Sequence, residues 1–115
     1  MKNKYSFMIG RFQIFHAGHK YLIDKLLEEK GLPVLIGIRD VEKDEKNPFT
    51  AEQVKYSIED HLKEYILNNQ VKVIVIPDIA GVYYGRDVGY EVAQLEVPKE
   101  IADISASKLR KEMGL

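Results

Sequence analysis

The chain contains no cysteine. Disulfides, thiolate catalysis and Cys-ligated zinc or iron–sulfur centres are excluded with it, which fits a reducing interior. Long hydrophobic runs are missing as well, since no apolar stretch approaches the roughly 18 residues of a membrane-spanning helix. The opening Met1-Lys-Asn-Lys-Tyr5 lacks the apolar segment of a leader peptide, so cytoplasmic residence without a membrane partner is expected. Excess charge is absent too. Seventeen basic and eighteen acidic residues leave a formal charge of −1, which supplies no basic field for general nucleic-acid binding. No internal repeat or low-complexity linker breaks the chain. What remains, 45% hydrophobic and 30% charged in 115 residues, is ordinary for one soluble globular domain, here 1–115.

Apolar patterning predicts an α/β domain. Tyr5 to Ile9, Val34 to Arg39 and Val71 to Pro77 are near-continuous apolar runs, which suit strands of a parallel sheet covered on both faces. Tyr90 to Val97 is a weaker fourth, carried by Val92, Ala93, Leu95 and Val97. A first helix is expected over 18–30, with Leu22, Ile23, Leu26 and Leu27 on one face and Gly31 as its stop. A second opens at Thr50-Ala-Glu-Gln53, a capping box, and carries Val54, Ile58, Leu62, Tyr65 and Ile66 down to Asn68 or Asn69. A third starts near Ser105 or Ser107 and runs to Met113, ending at Gly114. Such alternation predicts a doubly wound, Rossmann-like parallel sheet of four to five strands, with sites beyond the strands' carboxyl ends.

One of those ends holds most of the chemistry. In Ile9-Gly-Arg-Phe-Gln-Ile-Phe-His-Ala-Gly-His-Lys20, His16 and His19 sit at a strand-to-helix turn. A helix N-terminus offers free N–H groups and a partial positive charge to phosphate. Gly10 and Gly18 let backbone approach a ligand, and imidazoles can donate to phosphate oxygens. Two plainer readings compete. Histidines spaced i, i+3 can share a metal, but no third ligand lies nearby and no His-Glu-x-x-His is present. They can also be ordinary polar residues at a helix start. Neither a Gly-x-Gly-x-x-Gly fingerprint nor a Walker pattern occurs. Arg39, Asp40 and the segment after Pro77 fall at equivalent strand ends. In that segment Tyr83, Tyr84 and Arg86 are candidates for contacts to an acceptor or base, as are Arg39 and Asp40. His61, inside the second helix, reads as structural or surface.

Gly10-Arg-Phe-Gln-x-Phe-His16-x-Gly-His19 is similar to the signature of the HxGH nucleotidyltransferase (cytidylyltransferase-like) superfamily. A second segment, Ile104-Ser-Ala-Ser-Lys-Leu-Arg110, resembles that superfamily's C-terminal Ile-Ser-x-[Ser/Thr]-x-x-[Arg/Lys] motif. Asn47-Pro-Phe-Thr-Ala-Glu52 resembles a run in archaeal nicotinamide mononucleotide adenylyltransferases. The resemblance implies transfer of AMP or CMP from ATP or CTP to a small phosphorylated acceptor with release of pyrophosphate, adenylyl transfer being slightly favoured. It further implies Mg²⁺ accompanying the nucleoside triphosphate, no resident metal, and a homodimer of the kind compact members form. Carried over, His16 and His19 contact the triphosphate around the α-phosphate. Ser105, Ser107 and Arg110 hold the β- and γ-phosphates, Lys46 (in preference to Lys43) closes over them, and Gly10, Arg11, Phe12 and Gly18 complete the nucleotide site. Archaeal adenylyltransferases carry a longer insertion between the third and fourth strands. In size the chain instead resembles glycerol-3-phosphate cytidylyltransferases, whose histidine segment differs. A non-catalytic nucleotide-binding or regulatory module on the same fold is the alternative. The intact histidines and Arg110 argue against it.

Overall fold

Three largely apolar runs form the sheet of the computed structural model, which describes residues 4–86, 89–102 and 106–114. β1 (Ser6–Gly10), β2 (Val34–Asp40) and β3 (Val71–Pro77) are parallel, in the order β1-β2-β3. Their register sets Met8 beside Ile36 and Ile36 beside Val73. Parallel neighbours require crossover connections. α1 (Ala17–Lys30) makes the first, while α2 (Ala51–His61) and α3 (Lys63–Leu67) make the second. Gly31 ends α1 in a left-handed conformation (φ 64°), its N–H donating to the Leu27 carbonyl. Thr50 caps α2 as its sequence predicts: its hydroxyl accepts from the Gln53 N–H, and the Gln53 side chain accepts from the Thr50 N–H.

The core lies on one face of this sheet. Met8, Val34, Ile36, Ile38, Val71 and Val73 are buried in one cluster with Ile23 and Leu26 of α1 and Val54, Ile58 and Leu62 of the second crossover. Register places those strand residues on the same side. On the opposite side Phe7 is 52% exposed, and Leu35, Ile74 and Ile76 are only half-buried. A doubly wound sheet has helices on both faces; α1 and α2 instead share one. The cause is the strand order. Both crossovers advance in the same direction, and right-handed connections then put both helices on the same side.

Other departures have local reasons. The described residues contain three strands rather than four or five, because Tyr90 to Val97 stays irregular. Its alternation is broken by the exposed Val92, and it lies along α1: Glu91 pairs with Lys30 at 2.9 Å and Leu95 packs on the core. The predicted second helix is interrupted at Leu62 (φ −110°, ψ 25°). This residue is fully buried, and beyond it the Tyr65 hydroxyl donates to the Asp24 carboxylate of α1 at 2.6 Å. Two short helices follow the irregular stretch: α4 (Lys99–Ala102), which the patterning did not suggest, and α5 (Ala106–Glu112), the expected third. No helix among the described residues is long and apolar enough to cross a membrane.

Ile36 sits in the central strand with no exposure at all. Ile36→Ala is expected to cost about 2–5 kcal/mol, as for a large core residue truncated where neighbours cannot collapse inward. Urea unfolding monitored by circular dichroism checks this, and a loss below about 1 kcal/mol would show a core able to close the gap.

Candidate functional site

The backbone between β1 and α1 turns sharply. Phe12 takes φ 50°, a left-handed conformation that costs an L-residue about 1–2 kcal/mol. Packing offsets that cost. The Phe12 ring is buried against Gly10 and meets His19 edge-on at 4.9 Å between centroids. Phe15, also buried, stacks on His19 at 5.5 Å.

His16 is the N-cap of α1, with extended backbone (φ −146°, ψ −178°). Its Nδ1 accepts the Gly18 N–H at 3.0 Å, and Nδ1 of His19 accepts the His16 N–H at 3.1 Å. This is a reciprocal capping box built from two imidazoles, where a hydroxyl and a carboxylate or amide are usual. The rings stack at 3.9 Å and 23°. Gly18 is required by that geometry, because a Cβ there would stand 2.8 Å from Cε1 of His16.

The cap also decides where the protons are. A backbone N–H can only donate, so each Nδ1 is unprotonated and each neutral ring carries its hydrogen on Nε2. Burial pushes the His16 pKa below 6.5. Burial, followed by the charge of neighbouring His16, pushes that of His19 down to about 3. Both rings are therefore neutral at physiological pH and each offers one Nε2–H donor beside a helix N-terminus. Such a pair can donate hydrogen bonds to phosphate oxygens. With a pKa so far from neutrality, His19 is suited to stabilising charge rather than to shuttling protons.

A second segment is tied to this turn. Gln13 is buried, and its amide makes two bonds to one residue of the loop before α2: Nε2 donates to the Phe49 carbonyl at 2.9 Å and Oε1 accepts the Phe49 N–H at 3.0 Å. Upstream, Oδ1 of Asp44 accepts from the N–H groups of Lys46 and Asn47 and from Nδ2 of Asn47, at 2.8–3.0 Å. Burial pushes the Asp44 carboxyl up, but the hydrogen bonds from Asn47 and Lys46 and the nearby Arg11 charge bring it below the usual value.

Residues 7–57, from β1 through the His turn and β2 into α2, match the cytidylyltransferase-like family. That stretch, a little under half of the chain, resembles the cytidylyltransferase-like nucleotidyltransferases. The chain is similar to the nicotinamide-nucleotide adenylyltransferase of Methanocorpusculum labreanum, with 52% identity over 44 residues, 37% of this chain and 26% of that protein. The enzyme of the same name from Methanolobus tindarius is 41% identical over 69 residues, 54% and 39% of the two chains. That of Methanococcus maripaludis is 29% identical over 133 aligned positions, covering 94% and 77%. The first two matches span about a quarter and two fifths of their relatives.

Some of the predicted site residues meet and others do not. His16, His19, Phe12, Gly10 and Gly18 form one cluster, with Arg11 exposed beside the Asp44 loop. Lys46 is exposed at the edge of that loop, its backbone held by Asp44. The C-terminal segment returns to the cluster, because Ile101 of α4 lies 3.5 Å from where a Cβ of Gly18 would be. Arg110 is 8% exposed on α5. Ser107 lies in α5, while Ser105 lies outside the described residues. Arg39 is engaged elsewhere: it pairs with Asp78 at 2.8 Å and donates to the Ile79 carbonyl, bracing the chain after β3. Asp40 is exposed. Tyr83, Tyr84 and Arg86 are exposed too, with the Tyr83 hydroxyl folded over Gly81, and none touches the histidine rings. His61 is a surface residue whose Nδ1–H donates to the Ser57 carbonyl.

Sequence patterning missed Gln13, Asp44 and Asn47. A buried-type position occupied by glutamine between two phenylalanines was the available signal for the first. Asp44-x-x-Asn47-Pro, a turn pattern, was the signal for the others. A recess of about 340 Å³ lined by Tyr5, Val71 and Lys72 opens at the amino ends of the strands, opposite the His turn. Among the described residues no three His, Cys, Asp or Glu side chains gather into a metal site.

Protonation of either imidazole at Nδ1 removes a cap acceptor. The folded pKa values lie below the unfolded 6.5, so this contribution is complete above pH 6.5 and is lost as pH falls toward about 3. Urea stability is expected to fall over that window, and the His19 ring, followed by NMR, to stay neutral down to about pH 4. A His19 midpoint near 6.5 would contradict the buried, capping geometry.

Proposed function

We propose that this chain is a nucleotidyltransferase that moves AMP from ATP to a nicotinamide-nucleotide-type acceptor. The observation that carries the reading is the His16–His19 pair, neutral and locked with both Nε2–H groups as donors at a helix start. Support also comes from the name shared by the archaeal relatives. A phosphate oxygen of the acceptor attacks the α-phosphorus in line. A new P–O bond forms there, the bond to the β-phosphate oxygen breaks, and its electron pair leaves with pyrophosphate. No protein nucleophile takes part. His16 and His19 hydrogen-bond the α-phosphate as its charge grows, and the N-terminus of α1 adds its dipole. Lys46 closes over the departing phosphates, which Ser105, Ser107 and Arg110 hold. Gly10, Arg11, Phe12 and Gly18 shape the nucleotide side; Asp40, Tyr83, Tyr84 and Arg86 are offered to the acceptor or base, while Arg39 braces the chain after β3 through Asp78. Mg²⁺ arrives as part of the nucleotide substrate, carried by phosphate oxygens as this ion is in many such reactions.

Pyrophosphate release, measured with ATP and nicotinamide mononucleotide and with CTP and glycerol 3-phosphate, tests the reading. Turnover is expected with the first pair. Nucleotide binding without release in any pair would instead identify a binding module. His19→Ala is expected to fold and to lose about 10- to 150-fold in turnover, the value of one charge-assisted hydrogen bond of roughly 1.5–3 kcal/mol. Wild-type turnover in that variant would refute its role. Arg110→Ala should weaken ATP binding more than AMP binding in calorimetry, and equal losses would remove it from the β- and γ-phosphates.

A further inference from the structure

Gln13 belongs neither to the histidine pair nor to the residues assigned to the phosphates, yet it is among the few buried polar side chains described, at 4% exposure. A glutamine amide presents an N–H donor beside an acceptor oxygen with nearly the spacing of a peptide group, and has a second N–H besides. Here it uses that donor and acceptor on a single peptide partner 36 residues away, Phe49. The pairing reproduces a two-bond strand contact between segments that are not strands. On one side stand Phe12, whose ring sits on His19, and His16, three residues on. On the other side the chain from Asp44 to Thr50 is held at every step: Asp44 closes the turn containing Lys46, Phe49 is held by Gln13, and Thr50 caps α2.

We propose that Gln13 is a positioning residue that sets the distance between the His16–His19 donors and the Lys46 loop, so that both act on one polyphosphate. The proposal rests on the reading of the site as a nucleotidyltransferase. Gln13 itself touches no substrate. It acts through Phe49, and without it the loop bearing Lys46 is attached to the sheet at β2 and to α2 but no longer to the His turn. Lys46 then still carries its charge, but not at a fixed separation from the imidazoles.

A double-mutant cycle reads this coupling. In the wild-type chain Lys46→Ala is expected to lower kcat/KM for ATP about 10- to 100-fold, as loss of a charge-assisted phosphate contact does. In the Gln13→Met background, which keeps the side-chain length and removes both bonds, the same change should cost less than about threefold, the signature of residues acting as a unit. An equal loss in both backgrounds overturns the proposal, because a merely local role of Gln13 in the His turn would leave the Lys46 effect intact. Amide hydrogen exchange on the unmutated protein gives an arm that needs neither turnover nor a folded variant. The Phe49 N–H should exchange about 100-fold or more slowly than a free loop amide, consistent with a closed hydrogen bond. Free-loop exchange there overturns the tether even if the enzyme is active. A slow Phe49 in a protein that releases no pyrophosphate keeps the tether and rejects the proposed reaction instead.

Discussion

Two backbone N–H groups at the start of α1 must find acceptors, and histidine rings supply them. Much of the surrounding architecture follows from this substitution of imidazole for the usual hydroxyl and carboxylate. Rings large enough to reach the N–H groups must be stacked to fit, and stacked rings need walls. Phe12 and Phe15 provide those walls, one at the edge and one at the face of His19. The left-handed backbone of Phe12 is the strain that brings its ring there. Gly18 is the space left for His16. Helix stability and hydrogen-bond donation thus share the same rings, for the nitrogen that caps the helix determines which nitrogen keeps the N–H.

The sheet's role is to bring distant segments to one end. Parallel strands all finish on the same edge, so the His turn after β1 and the Lys46 loop after β2 are neighbours by topology. Topology leaves several ångströms of freedom between such loops, and side chains remove it. Gln13 bridges to Phe49, Asp44 folds the turn around Lys46, and Arg39 braces the segment beyond β3 through Asp78. The core beneath is one-sided, which concentrates the rigid packing under α1 and α2, the two helices that open at the site.

Much of this was legible in the sequence. Near-continuous apolar runs located all three strands, and β3 spans the residues its pattern predicted. The Thr50–Gln53 box and the Gly31 stop are local devices whose signals depend on few residues, and both formed. The histidines were placed at a helix start. What patterning could not show was that they would cap it themselves, since imidazoles are rare in that role. The single covered face was hidden because Val34 to Ile38 is apolar at every position, and such a run does not say which side is packed. Tyr90 to Val97 misled for the opposite reason: scattered apolar residues imitate a strand where only Leu95 reaches the core. Gln13 escaped notice because its partner lies 36 residues away, and no local rule links a glutamine to a distant peptide group.

The imidazole cap has a further consequence, for selectivity between cations and anions. A neutral histidine that ligates a metal through Nε2 must carry its hydrogen on Nδ1. In this chain each Nδ1 already accepts a backbone hydrogen, so a zinc or nickel ion could engage the pair only by uncapping α1. Two histidines one turn apart, ordinarily an invitation to transition metals, are thereby poor ligands in this arrangement. The helix's own need for acceptors thus disfavours metal binding at these rings.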